Sequence, residues 1–319
     1  MGGPMSITEL VAAAARAPSS HNTQPWRWVA SDDGRRLELY ADRRRALPVN
    51  DPRGRELVIS CGAALFALRV AAAHDGTGVI VEPFPDEDPD HLATVYLTGP
   101  PGDEAVLYGA LATRHTHHGS FAPASITPDT LAALRAAARA EGACLHVMDA
   151  LQRDAVAGLV AEGDRVLWCD RGWRRELARW FRTRRGGDGL TVSPAALVPT
   201  RFAVAHLDLG RRRGAANARL VEDAPAVVVL ATHDDEPGDW LRAGQALERV
   251  LLVAAVAGLS AAFENQPCEA SPAVRARLGA VLHGRVPQMV ARLGPSEPAR
   301  PSPRRPVRVS AGRGGLAPR

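Results

Sequence analysis

The chain has 319 residues, 46% apolar and 23% charged, with a formal charge of +4 whose 39 basic side chains are all arginine. That length buries a sizeable core and holds two domains or two closely packed halves. It carries no signature of a nucleic-acid or membrane partner: the arginine clusters at 43 to 45, 182 to 185 and 211 to 213 lack interleaved aromatics, and no run approaches the ~18 consecutive apolar residues that span a bilayer.

The N-terminus shows no basic stretch followed by an apolar core. Cys61, Cys144, Cys169 and Cys268 are widely spaced, without a CxxC pair, and read as reduced thiols. Both features fit a cytoplasmic protein.

In chain order, Ile7, Leu10 and Val11 share one face of a short helix over 6 to 16. Trp26 to Ala30 and Leu37 to Ala41 form a hairpin across Ser31-Asp32-Asp33-Gly34. Asp51-Pro52 reads as a helix start with proline at the first helical position, leading an apolar run to about Ala73 that is buried on most sides. Strands are expected at Val79 to Pro83 and Leu92 to Leu97, and 99 to 103 reads as a linker between halves. The second half offers a helix near 104 to 113, a capped helix from Ile126-Thr-Pro-Asp129 to about Glu141, a strand at Cys144 to Met148 and a helical region over 151 to 182.

From Arg184 to Arg219 the pattern dissolves into Gly, Arg, Pro and small residues, which predicts a lid, a binding loop or a disordered segment. A buried strand at Ala226 to Ala231, a helix from Trp240 to Ala257, a short strand at Ala261 to Glu264, a helix over 272 to 282 and a strand at Gln288 to Leu293 follow. The Pro- and Arg-rich last 26 residues read as a tail. Strand, buried helix, glycine and two strands occur in both halves, so the chain reads as an internal repeat.

Two stretches carry the candidate chemistry. In Arg16-Ala-Pro-Ser-Ser-His-Asn-Thr-Gln-Pro-Trp-Arg-Trp28, Pro18 and Pro25 bracket six small polar residues, and Trp26 and Trp28 anchor the far end. Such a loop leaves hydroxyl, amide and backbone groups free to ring a flat heterocycle, or else is a capped connection between helix and strand. Arg114-His115-Thr116-His117-His118 offers a guanidinium and a hydroxyl for a phosphate. Its three histidines could also suggest a metal, but neither carboxylate nor cysteine stands at ligand spacing.

Pro18-Ser19-Ser20-x-Asn22-x-Gln24-Pro25-Trp26 resembles the flavin loop of the nitroreductase family, FMN proteins of α+β fold that are usually homodimers with the flavin at the dimer interface. The resemblance implies cofactor contacts from Pro18, Ser19, Ser20, Asn22 and Gln24. It puts Arg114, His115 and Thr116 at the phosphate and ribityl chain, and His118 near the N1/O2 edge, where the family usually has Lys or Arg. Gln266-Pro267-Cys268-Glu269 resembles the segment over the flavin, implying Pro267, Cys268 and Glu269, with a backbone N–H toward N5. Pro303-Arg304-Arg305-Pro306 resembles the terminal basic strand, implying Arg304 and Arg305 at the phosphate.

The flavin loop and the Arg-x-Thr segment each occur once, in different halves. The resemblance therefore implies two fused nitroreductase-like halves, 1–100 and 101–319, with one FMN between them, a lid at 184–219 and a C-terminal arm at 295–319. With Asp51-Pro-x-Gly-Arg-Glu56, the pattern is similar to the Acg-like branch of actinobacterial NAD(P)H nitroreductases. It implies hydride transfer from NAD(P)H through FMN to a small nitro, quinone or enone acceptor, or FMN storage under the lid, or dehydrogenation of a specialised metabolite, in a monomer or homodimer.

Overall fold

The structure is a computed structural model and describes residues 4–296 and 301–311. Of the expected arm 295–319, residues 297–300 and 312–319 lie outside the described residues.

The first half begins with α1 (Ile7–Ala14), where Ser6 and Glu9 form a reciprocal cap. Next come β1 (Trp26–Ala30), β2 (Arg36–Ala41), α2 (Arg55–His74), β3 (Val79–Pro83) and β4 (His91–Leu97). Proline does not start α2. Asp51-Pro52 lies in a turn ahead of it, the chain passes through the left-handed Gly54 (φ 74°), and the Asp51 carboxylate accepts the Leu57 N–H at 3.0 Å. An αL residue suits glycine, so Gly54 sets the start rather than Pro52.

The second half follows with α3 (Ala110–Thr113), α4 (Pro128–Ala140), β5 (Cys144–Val147), α5 (Ala150–Cys169) and α6 (Arg171–Trp180). The expected helical region over 151 to 182 consists of two helices, broken at Asp170, whose carboxylate caps α6 by accepting the Gly172 N–H at 2.6 Å. A two-residue parallel ladder, β6 (Phe181–Arg182) with β7 (Leu190–Thr191), leads into α7 (Pro194–His206) and α8 (Gly210–Glu222).

Residues 184 to 219 are therefore largely helical, against the irregular segment expected. The glycines there are contact points rather than breakers: a Cβ on Gly214 would stand 2.7 Å from the Ala161 carbonyl oxygen of α5. Tight helix packing against a small residue outweighs its poor intrinsic propensity. The chain then runs through β8 (Ala226–Thr232), α9 (Pro237–Val256), β9 (Ser260–Phe263), α10 (Gln266–Glu269), α11 (Pro272–Val281), β10 (Val286–Gly294) and β11 (Val309–Ala311).

The sheets make the repeat explicit. One runs β11-β1-β2-β4-β3, the other β5-β8-β10-β9. The strand pairs β1-β2-β4-β3 and β5-β8-β10-β9 are all antiparallel. In each half the two strands after the central helix form the far side of the sheet, so the chain is α+β in two repeated halves. The fifth strand, β11, is the C-terminal segment lying parallel to β1, Trp28 opposite Val309.

Helices α2 and α9, one per half, pack together through glycine. A Cβ on Gly62 would stand 2.3 Å from the Leu241 carbonyl oxygen, and one on Gly244 would stand 2.1 Å from that of Ile59. The same offset on both helices is the reciprocity of a two-fold interface, here inside one chain. Helix α2 is apolar and long enough to cross a membrane by composition, and 89% of that window is buried inside the protein.

Candidate functional site

The loop between α1 and β1 has an unusual backbone. A single 3-10 turn, Ser20–Asn22, is followed by Thr23 and Gln24, and His21, Asn22 and Gln24 all have positive φ, 49°, 54° and 51°. Three left-handed non-glycine residues in four positions store strain that surrounding bonds must hold. The Ser19 hydroxyl accepts the Gln24 N–H at 2.9 Å, and the buried Trp26 and Trp28 fix the exit.

Both amide side chains in this loop face other segments. Asn22 donates to the Gly189 and Pro303 carbonyls (3.3 and 3.2 Å), and Gln24 donates to the Gly187 carbonyl at 2.8 Å. Arg45 donates to the Thr23 carbonyl and pairs with Asp188. Residues 187 to 189 thus close over the loop; of the lid expected at 184–219, this short piece lies on it.

The C-terminal arm seats on the same loop. Arg304 donates to the carbonyls of Ala15 (2.7 Å), Arg16 (2.8 Å) and Ala17 (3.1 Å) at the end of α1, where unpaired carbonyls and the negative end of the helix favour a cation. The Arg305 backbone N–H donates to Gln24 Oε1 at 3.0 Å, and its guanidinium donates to the Gln24 carbonyl at 3.2 Å.

Arg114 reaches this point from the other half, at the end of α3. Its Nη2 donates to the Arg16 carbonyl at 3.0 Å, while its Nε lies 3.6 Å from Glu248 Oε1, an ion pair too long for a hydrogen bond. Glu248 of α9 is fully buried, and neither of its oxygens nor Arg114 Nε has a hydrogen-bond partner among the described residues. Burial pushes the Glu248 carboxyl up to about 7 despite Arg114 and Arg304, and burial with the nearby Arg114 brings Arg304 down to about 10. Next in the chain, buried His115 Nδ1 also lacks a partner among the described residues, and desolvation, then Arg114, lowers its pKa.

A second knot joins the halves beneath Ser20. Its hydroxyl donates to Glu56 Oε2 at 2.5 Å, Arg55 Nη2 donates to Glu56 Oε1 at 3.0 Å, and Glu269 shares a hydrogen bond with Glu56. Burial and the Glu56 charge hold Glu269 well above the usual carboxylate range, and burial, then Glu56, pushes Asp51 up to about 6. Through Glu56, which also accepts the Ser20 hydroxyl, Glu269 ties α10 to the loop.

The expected residues divide accordingly. Pro18, Ser19, Ser20, Asn22, Gln24, Arg114, Arg304 and Arg305 converge on one place, and Ser20 connects them through Glu56 to Glu269. His115 adjoins Arg114, whereas Thr116 bridges to Ala261 of β9 and His118 is exposed. Pro267 and Cys268 are buried in α10, and burial pushes the Cys268 thiol up to about 12.

The N–H groups of Cys268 and Glu269 both donate to the Asn265 carbonyl (2.8 and 3.2 Å), because Gln266–Glu269 is a helical turn. Pro267 has no N–H. Of the segment's amides, those of Cys268 and Glu269 are thus engaged within the turn.

No protein-family model matches the chain. A protein of Mycobacterium tuberculosis H37Rv described as "Putative NAD(P)H nitroreductase" is 32% identical over 317 residues, covering 94% of this chain and 89% of that protein. "Putative NAD(P)H nitroreductase acg" of the same organism is 31% identical over 320 residues, covering 94% and 93%. This chain belongs to their nitroreductase family. Among solved structures, the FMN-dependent nitroreductase NfnB from Mycobacterium smegmatis in complex with NADPH overlays with a TM-score of 0.40 at 16% identity, over 61% of this chain and 90% of that one.

Three contributors to the site are not among the residues expected from sequence. Glu56 ends the Asp51-Pro-x-Gly-Arg-Glu56 motif, which by itself points to no role for it. Gly187-Asp188-Gly189 was hidden inside a stretch read as irregular. Glu248 had a usable signal: it is an acid four residues after Gly244 on the buried face of an apolar helix.

Proposed function

We propose that the chain binds one FMN between its halves, 1–100 and 101–319, and acts as an NAD(P)H-dependent oxidoreductase toward a small electron-poor acceptor. The observation that carries this is the pair of buried atoms Arg114 Nε and His115 Nδ1, without a hydrogen-bond partner among the described residues, delivered by the second half beside the strained Ser19–Gln24 loop of the first. A phosphate fits such a donor set, because a guanidinium with a free edge gains charge-assisted hydrogen bonds. Arg114 would hold the phosphate, with Arg304 adding positive charge.

Ser19, Ser20, Asn22 and Gln24 would line the ring. FMN, when bound, supplies hydride acceptance from a nicotinamide and its return to an acceptor. The chain's own task is orientation and exclusion of water, through the loop, the 187–189 piece and the arm.

FMN storage with little turnover is the second reading, favoured by the bonds from Asn22 and Gln24 to residues 187 to 189. Anaerobic mixing of FMN-loaded protein with NADPH or NADH, followed by flavin absorption with dithionite as control, separates the two. Bleaching by a nicotinamide supports the oxidoreductase, and bleaching by dithionite alone supports storage.

A further inference from the structure

Glu248 is used by nothing described so far. It lies on α9 with no exposed surface, faces Arg114 at 3.6 Å, and leaves both oxygens without a hydrogen-bond partner among the described residues. A buried carboxylate is normally paired and hydrogen-bonded, since desolvating it otherwise costs several kcal/mol. Its charged neighbours are Arg114, at the end of α3, and Arg304, from the C-terminal arm. Arg69 of α2, which also packs on α9, pairs with Glu104 and Glu141 instead, and Arg249 of α9 pairs with Asp103 and Glu141.

The site thus holds two guanidinium groups and one internal anion that neutralises them without the fit of a hydrogen-bonded pair. We infer that Glu248 and a ligand phosphate compete for Arg114 and Arg304, so that phosphate binding is coupled to uptake of one proton by Glu248. This rests on the reading above that these arginines receive the FMN phosphate. Two cations, a dianionic phosphate and a neutral Glu248 sum to zero charge; with Glu248 ionised the buried site carries a surplus negative charge. The proton comes from solvent, bonds to a Glu248 carboxylate oxygen, and returns when the phosphate leaves.

Burial already places Glu248 at about 7, where the switch is inexpensive. The sign of the effect is opposite to that of the phosphate itself, whose second ionisation near pH 6 strengthens binding to arginine as pH rises. His115 is lowered by burial and stays neutral above pH 7, and Arg304, at about 10, stays charged below pH 9. From pH 7 to 8.5 Glu248 is therefore the group that changes.

The test is FMN affinity by flavin fluorescence at roughly pH 7 and pH 8.5 for the full chain and for Glu248→Gln, with riboflavin, which lacks the phosphate, as control. Wild-type affinity for FMN is expected to fall by about tenfold over that range, and the variant's by less than about twofold, the variant binding more tightly at the higher pH. Riboflavin should respond to neither change, and inorganic phosphate should compete with FMN more strongly at the lower pH. Should the variant not fold, calorimetry of wild type in two buffers of different ionisation heat reads the proton directly, with close to one taken up per FMN at pH 8.5. Equal pH slopes in both proteins, or no proton uptake, overturn the proposal while leaving FMN binding intact. Failure of both proteins to bind FMN at either pH overturns the functional reading and the proposal with it.

Discussion

Gly62 of α2 and Gly244 of α9 meet across the centre of the molecule: the Gly244 Cα lies 3.0 Å from where a Gly62 Cβ would be, and the Gly62 Cα lies 2.8 Å from where a Gly244 Cβ would be. Both obstacles are backbone, which cannot rotate away. Gly62→Ala or Gly244→Ala is expected to destabilise the protein by about 1–3 kcal/mol or more, because the helices that join the halves must separate. Urea denaturation measures this, and unchanged midpoints would mean that the helices do not pack as closely as described.

Arg114→Ala is expected to weaken FMN binding by about 2 kcal/mol, roughly thirtyfold, by removing a charge-assisted contact. Arg114→Lys should restore little, since an ammonium cannot bond the Arg16 carbonyl and a phosphate with the same fork. Equilibrium titration with FMN checks both, and wild-type affinity in the alanine variant contradicts the phosphate assignment.

Glu248 also predicts a pH dependence of stability. Its carboxyl rises from an ordinary 4.5 to about 7 on folding, so the native state binds more protons than the unfolded one between those values, and stability falls as pH rises through that window and is level above it. Glu248→Gln removes this penalty. Relative to wild type, the variant should gain stability between pH 5 and pH 8 by on the order of 3 kcal/mol. Denaturation at the two pH values reads the difference, and a constant offset contradicts it.

The seam over the loop depends on Asp188, which pairs with Arg45 while its neighbours Gly187 and Gly189 accept the Gln24 and Asn22 amides. Asp188→Ala should loosen this piece and speed tryptic cleavage at Arg184 and Arg185 severalfold, a local opening rather than global unfolding. Limited proteolysis with the denaturation midpoint as control checks it; an unchanged cleavage rate means that the pair does not hold the segment.

What the sequence made legible followed from local signals. The alternation in Trp26–Ala30 and the turn at Asp32-Asp33-Gly34 place β1 and β2, and the apolar run after Gly54 places α2. The loop residues and Arg114 were legible as a pattern, and their meeting was implied by the resemblance because each motif occurs once, in different halves; that they meet at the Arg16 carbonyl was not legible. Helices α7 and α8 were not, because Pro199, Gly210 and Gly214 look like breakers, and only the packing of α8 on α5 and of α7 on α6 shows otherwise. The state of the Cys268 and Glu269 amides was also hidden, since only a structure reveals that Asn265 starts a helical turn there. Long-range partners, such as Glu248 beside Arg114 and Glu56 beside Glu269, are set by how the halves dock, and no window of sequence contains them.

The central claim is one composite FMN site per chain, built from the Ser19–Gln24 loop of one half and Arg114 of the other. Its most direct test is the flavin stoichiometry of protein saturated with FMN and freed of excess by gel filtration, from absorbance at the flavin and protein bands. One FMN per chain is expected, lost in Arg114→Ala. Two FMN per chain, or none after saturation, would contradict it.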